Sequence, residues 1–398
     1  MQPRSATRNT NGAAATDGID PAGPDALTRP PRLSARLDAW LEASPRYVYL
    51  LPAIGIVLFL SIFPLIVSLY LSLASIRLVR GGFEIRFVGL DNYRKLLVGD
   101  TQRHFLGRFG DYNLLTLTIL TFVLAVLIFL IARYIANNGF KLFGTSLRVL
   151  TAIIAFGLIW LVVMTYLSGG LPGTLVVTMT FVFVGVVVQF LLGLGLALLV
   201  TQNLRGKRFF RVVFLLPMMI TPVGIGFLFR MMTDTLQGPI APLWVALGLE
   251  DFSWTQTAFG ARAAVIVGDT WQWTPFIFIV LLAALEGVPR EPIEAALVDG
   301  ANEWQAFRYV LVPYLMPVSL TVIMIRIIEG FKIIDMPQVL TRGGPGTATE
   351  SVTLQAYNSW RALDLGGSAA MAYMLLFVVT FSAVVFVNFV RKRVLEHP

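Results

Sequence analysis

The sequence contains no cysteine and only two histidines, His104 and His397. Without cysteine there is no disulfide framework, no thiolate nucleophile and no zinc–thiolate site. Two histidines exclude a His-rich metal site. Charge is scarce as well: 14% of the 398 residues are charged, whereas a soluble globular domain needs roughly a quarter to cover its surface. Apolar residues fill the gap, with 56% hydrophobic residues, 29 phenylalanines and a mean hydropathy of +0.75. A surface of that composition faces lipid. The net charge of +8 sits in short loops between apolar runs, where membrane insertion places Lys and Arg. No basic stripe interleaved with aromatics occurs on a polar segment, so a nucleic-acid partner is not expected.

Residues 1–45 are rich in Ala, Pro, Thr, Asp and Arg and nearly devoid of aromatics, which predicts a disordered cytoplasmic tail. The first apolar run begins too late and is too long for a secretory signal. A helix needs about 20 apolar residues to cross the hydrocarbon core. Runs of that kind occupy Tyr47–Leu73 and Tyr112–Ala132. Val149–Leu204 carries no charge and is too long for one crossing; Ser168-Gly169-Gly170-Leu171-Pro172-Gly173 divides it into two. Val212–Phe229, Ala263–Leu285, Tyr309–Ile325 (continuing past Arg326) and Leu365–Val390 follow. About eight spans are predicted. The alternating segments of a β-barrel are missing, so the fold class is all-α, a polytopic membrane helix bundle.

The positive-inside rule places both termini in the cytoplasm. Inner segments then hold Arg205, Lys207, Arg208 and Arg211, then Arg133, Lys141 and Arg148, and finally Arg391-Lys392-Arg393. One loop resists. Residues 74–111, assigned outside, contain Arg77, Arg80, Arg86, Arg94, Lys95, Arg103 and Arg108.

Between the sixth and seventh spans lies Val288-Pro289-Arg290-Glu291-Pro292-Ile293-Glu294-Ala295-Ala296-Leu297-Val298-Asp299-Gly300-Ala301. Pro292 suits the first turn of a helix and Glu294 complements a helix N-terminus. Ala295, Ala296 and Ala301 leave room for another backbone, and Gly300 permits a bend. Such a helix is either a lever for a partner or an ordinary amphipathic connector.

Glu294-Ala295-Ala296, then Asp299-Gly300-Ala301, Phe307, Pro313 and Pro317, resembles the EAA loop of binding-protein-dependent ABC importer permeases. Asn203 to Arg211 with Phe214-Leu215-Leu216-Pro217 resembles the inner loop and next span of that family. Leu340-Thr341-Arg342-Gly343-Gly344-Pro345 with Thr349, and Gly89-Leu90-Asp91-Asn92-Tyr93, resemble segments of carbohydrate permeases of the maltose-transporter type. The resemblance covers residues 47–100 and about 180–390. It implies a core permease domain over 171–393 with a coupling loop at 288–313, preceded by a first span and outer loop (46–111). Residues 112–170 depart from it as an inserted pair of spans.

The resemblance further implies a non-catalytic, multi-pass subunit of a bacterial inner membrane. It would work with a second permease in a heterodimer, with an extracytoplasmic sugar-binding protein, and with ABC ATPase subunits that bind ATP and Mg; this chain would carry no cofactor. Glu294, Ala295, Ala296, Asp299, Gly300 and Ala301 would dock in a cleft of the ATPase, Glu294 facing a basic group there. ATP-driven closure would then rock the spans between inward-open and outward-open states, which requires only differential contacts in two states.

No phosphate-cradling loop occurs; Gly206-Lys207 is followed by Arg208. Leu167-Ser168-Gly169-Gly170 imitates part of an ATPase signature but falls in a turn between spans. Asp269, about six residues or about 9 Å inside the sixth span, precedes Trp271-Gln272-Trp273. Aromatic faces beside polar groups suit a path for a sugar substrate; interfacial anchoring or packing is the other reading. Arg326 and Glu329, and then Lys332 and Asp335, are spaced to pair along one helix face as internal salt bridges, with ligand contact as the alternative. Pro217, Pro222, Gly224 and Gly226 predict a kinked or broken fifth span, which can line a transport site or serve packing. The rival function, a self-contained secondary transporter or channel, calls for inverted-repeat hydropathy and mid-membrane coupling carboxylates, and neither stands out. An integral-membrane enzyme lacks a convergent His, Cys or carboxylate cluster.

Overall fold

The computed structural model describes residues 45–139, 141–202, 206–249 and 253–395. The predicted tail and Asn203-Leu204-Arg205 lie outside these residues, as do the side chains of Arg391-Lys392-Arg393. The chain forms two compact units, Met1–Ile66 and Val67–Pro398. In the first, helix α1 (Pro45–Val57) runs through a π-turn at Leu58–Ile62 into α2 (Phe63–Ser72), and Phe59 stacks on Phe63 with centroids 5.8 Å apart.

The second unit opens with the end of α2 and a hairpin, β1 (Ala74–Val79) and β2 (Gly82–Phe87), followed by the short helices α3 (Asp91–Leu97) and α4 (Gln102–Phe105). After β3 (Gly107–Arg108) come α5 (Leu114–Asn138) and α6 (Leu142–Tyr166); β4 (Leu171–Pro172) then pairs back onto β3. Helix α7 (Thr174–Thr201) is followed by α8 (Lys207–Met219), α9 (Pro222–Met232), α10 (Ala241–Ala246) and α11 (Ala258–Glu286). Helices α12 (Glu291–Val298) and α13 (Glu303–Ala306) lead through a π-turn into α14 (Val312–Gly330), and α15 (Val352–Arg361) and α16 (Leu365–Leu395) follow.

Among the described residues seven helical stretches are long and apolar enough to cross a membrane, and the bent pair α8–α9 counts as an eighth if taken as one span. Helix is the required form there, because bilayer hydrocarbon leaves every backbone N–H and C=O to be satisfied within the segment. Side-chain hydroxyls follow the same rule: Thr178 and Thr180 donate to the carbonyls of Thr174 and Val176, at 2.7 and 2.9 Å. The all-α class stands, with two small antiparallel ribbons at one end. The fifth span is broken rather than kinked, its halves meeting at 97° across Ile220 and Thr221. Pro222 cannot donate to the preceding turn, and Thr221 caps α9 by accepting from the Gly224 N–H.

The core lies where α7 crosses α11. A Cβ on Gly193 would come within 2.8 Å of Ile277, so glycine permits this approach of the two backbones, as small residues do between membrane helices. At the hairpin end, Asn92 donates to the Ser72 and Ala74 carbonyls (both 2.9 Å), and the Tyr93 and Ser72 hydroxyls lie 2.8 Å apart. These contacts give the Gly89–Tyr93 segment its structural work. His104 meets Glu350 at 2.6 Å at the same end.

Candidate functional site

Three buried polar side chains from three helices converge inside the second unit. Asp269 of α11 accepts hydrogen bonds through Oδ2 from Gln189 Nε2 of α7 (2.8 Å) and from Arg326 Nη2 of α14 (2.5 Å). Arg326 Nε donates to Gln189 Oε1 at 2.7 Å and closes the triangle. The Arg326 guanidinium carbon stands 4.6 Å from the centroid of Trp273. Arg326 is 2% exposed. A charge held this deep persists because its partners replace the water it lost, and its pairing leaves the cluster electrically balanced. Gly185, one turn before Gln189, borders the triangle; a Cβ there would rest at 3.6 and 3.7 Å from Gln189 Nε2 and Asp269 Oδ2, in ordinary contact.

This geometry corrects the pairing expected along the seventh span. Arg326 turns inward to Asp269, and Glu329 is taken by Lys332 at 2.7 Å. Lys332 does not engage Asp335 because α14 ends at Gly330 and the helical spacing is lost beyond it. The expected aromatic–polar surface also divides. Asp269 and Trp273 belong to the buried triangle; Trp271 faces away, its ring 5.8 Å from Phe229; Gln272 is buried without joining the triangle. Asp269 lies 11 residues along α11 from its start at Ala258, about 16 Å of helix. Gln189 was missed. Its signal was a lone amide in a 28-residue helix otherwise built from apolar residues, glycine and threonine.

Trp271 lines an apolar groove of 1120 Å³ between α7, α8 and α11, with Val188, Leu192, Phe214, Pro217 and Thr270. The Thr270 hydroxyl is buried with no hydrogen-bond partner. At the hairpin end a second cavity, of 480 Å³, is polar and includes Arg230, Asp234, Gln256, Thr341 and Arg342. Asp234 accepts from the Gln237 and Leu236 N–H groups, which hold its carboxyl below the usual aspartate value. The Leu340–Thr349 segment folds as a closed turn. Arg342 and Gly343 take φ of 54° and 86°, Thr341 and Thr349 hydroxyls meet at 2.6 Å, and Thr349 donates to the Gly344 carbonyl.

At the opposite end, α12 is exposed. Glu291 and Glu294 occupy its first turn, where the helix dipole favours acids. Its C-terminus is a Schellman cap: Ala301 N–H bonds the Ala296 carbonyl at 3.0 Å and Gly300 N–H the Leu297 carbonyl at 3.1 Å. Gly300 supplies the required positive φ, 89°. Asn302 and Gln305 then cap α13 reciprocally. The motif Glu294-Ala295-Ala296 … Asp299-Gly300-Ala301 is thus one helix with its own stop. Val298 is 87% exposed and Trp304 65%. Nearby, Arg211 of α8 pairs with Glu286 at the end of α11.

The family described as binding-protein-dependent transport system inner membrane component matches residues 189–396, from Gln189 through the triangle and α12 to the end of α16. The chain belongs to this family. It is 34% identical over 209 residues to the trehalose/maltose transport system permease protein MalF of Thermococcus litoralis, covering 52% of this chain and 71% of the relative. It is 30% identical over 215 residues to the trehalose transport system permease protein SugA of Mycobacterium tuberculosis (54% and 68% covered). Over 209 residues it is 30% identical to the sn-glycerol-3-phosphate permease UgpA of Escherichia coli, with 51% and 70% covered. A bacterial ABC transporter involved in the import of the acidic polysaccharide alginate has a chain with the same fold. The match has a TM-score of 0.61 at 15% identity and covers 90% of this chain and 99% of that one. This chain is therefore a multi-pass permease subunit of a transport system.

Proposed function

We propose that this subunit forms half of the translocation pathway for a sugar in a bacterial inner-membrane importer. A second permease completes the pathway, an external binding protein delivers the ligand, and separate ATPase subunits bind ATP and Mg. The observation that carries the reading is α12. A capped helix stands exposed between two spans, with acids at its start, small residues Ala295 and Ala296 on it, and apolar Val298 and Trp304 beyond. Glu294 would face a basic group in the ATPase cleft, with Ala296, Gly300 and Ala301 packed against it, while Asp299 forms the cap. Both chain termini and α12 would lie in the cytoplasm.

The carbohydrate assignment is supported by relatives named for trehalose and maltose. Trp271, beside the apolar groove and the partnerless Thr270 hydroxyl, is the path-lining candidate. Asp269 and Trp273, with Gln189 and Arg326, position the helices that carry the path, and buried Gln272 packs beside them. Residues 1–45 serve as a cytoplasmic tail, 46–111 as first span and outer loop, 112–170 as the added pair, and 171–393 as the core with its coupling loop at 288–313.

The test is to tag the C-terminus, extract the protein from native membrane in mild detergent and identify what co-purifies. An ATPase subunit and a second permease are expected, with ATPase activity that rises with the binding protein loaded with its sugar. A stable, transport-active assembly of this chain alone would overturn the reading in favour of a self-contained transporter.

A further inference from the structure

The hairpin β1–β2 divides its side chains by chemistry. In its register Ala74 and Ile76 oppose Phe87 and Ile85, with Phe83 two residues further along β2, while Ser75 and Arg77 oppose Arg86 and Glu84. Alternation along a strand puts the first set on one face and the second on the other. The apolar face is left open: Phe83, Ile85 and Phe87 are 59%, 51% and 62% exposed. An isolated two-stranded hairpin is marginal in water and needs a layer against its apolar face. All of β2 is exposed; among the described residues the chain covers this face only at its root, where Ala74 is buried beside α16.

The root of the hairpin fixes its depth. One residue separates the end of α2 from β1. At Gly366, the second residue of α16, a Cβ would fall within 2.1 Å of the Ala74 carbonyl oxygen. The hairpin therefore starts level with the ends of two membrane-spanning helices, where headgroups lie. Its polar face and tip carry Arg77, Arg86 and Arg80 against Glu84 alone, a charge balance suited to phosphate. We infer that β1–β2 lies in the membrane interface, with Phe83, Ile85 and Phe87 seated among the acyl chains and its arginines on anionic phospholipid headgroups. This occupant accounts for the cluster of Arg in a loop that charge bias alone would place inside: the side chains are anchors to the near leaflet. The inference does not depend on the cargo or on which side of the membrane this end faces.

The native lack of cysteine makes the test direct. Single cysteines replace Phe83, Glu84, Ile85, Arg86 and Phe87 in turn, each in the full importer with cysteine-free partner subunits. Each is spin-labelled and reconstituted in vesicles of phosphatidylglycerol and phosphatidylethanolamine. Power saturation should show oxygen favoured at 83, 85 and 87 and a water-soluble nickel chelate favoured at 84 and 86. That two-residue oscillation should weaken when phosphatidylcholine replaces both lipids. Uniform nickel access at all five positions would overturn the inference by placing the hairpin in water. An oscillation that arises only when the external binding protein is added would assign the face to that protein, and would equally overturn it. Copurification of the partner subunits reports separately on folding and on the importer reading.

Discussion

Replacing Gly300 by alanine isolates a backbone effect. A Cβ at this position meets nothing within 4 Å in this chain, so no side chain or neighbouring helix is displaced. What changes is the cost of φ at 89°, about 1–2 kcal/mol for a residue with a Cβ in the left-handed region. If that penalty opens the cap, the bonds from Ala301 and Gly300 are lost as well, each worth about 0.5–1.5 kcal/mol net. A shift of one or two kcal/mol changes a two-state ratio by about 5- to 30-fold, and because an exposed eight-residue helix is marginal by itself, the population of α12 with its stop in place falls nearly as far as the ratio. The assay is ligand-stimulated ATPase and sugar uptake in proteoliposomes holding all subunits, at matched insertion. Gly300→Ala should reduce both by about 5- to 30-fold. Gly300→Asn should recover most of the loss, because asparagine tolerates the left-handed conformation. Uptake within about twofold of wild type for Gly300→Ala would refute the reasoning. Equal loss in Ala and Asn variants would show that the partner touches position 300 itself.

Asp269→Asn or Arg326→Met leaves one buried charge unpaired, a loss of about 3–5 kcal/mol; the double variant Asp269→Leu/Arg326→Met should sit closer to wild type, read as the thermal midpoint of the purified complex. Gly193→Val forces Ile277 and Phe278 away from α7 and should cost about 1–3 kcal/mol by overpacking, seen as reduced detergent-resistant assembly, whereas Gly195→Ala, where a Cβ meets open space, should be near neutral. The Asp234 carboxyl is held below its ordinary 3.8 in the folded protein. The turn it caps is therefore stabilised above the unfolded value and loses that support as pH falls through the folded one. Protection of the Leu236 and Gln237 amides, taken relative to the intrinsic exchange rate at each pH, should fall below about pH 4, and Asp234→Ala should remove that pH dependence.

The spans were legible because absence of charge over about 20 residues is a direct signal of hydrocarbon. Helix ends were less so. Lys207, Arg208 and Arg211 sit inside α8, although their charges read as loop. The break in the fifth span followed from Pro222 and its neighbours, but not its angle. The Glu294–Ala301 residues fell into one capped helix because Asp299-Gly300 encodes a local stop. The buried triangle was only partly readable. Arg326 finds Asp269 across 57 positions, and spacing rules for a single helix compare only neighbours three or four apart. Hairpin residues alternate in sequence, yet their basic content drew attention to loop charge rather than to period two.

The break between α8 and α9 has a mechanical meaning. The hydrogen-bond ladder that stiffens a helix stops at Ile220. Below it, α8 is fastened to α11 by Arg211–Glu286 and by Phe214 against Phe278, centroids 5.6 Å apart. Above it, α9 is fastened to the turn at 337–341. Gly226 admits Val339, which a Cβ would meet at 2.9 Å, and Arg230 donates to the Val339 carbonyl. A pull on the α12 side thus reaches α8 without obliging α9 to follow. The pair is two leaves on a common joint, each latched to a different neighbour.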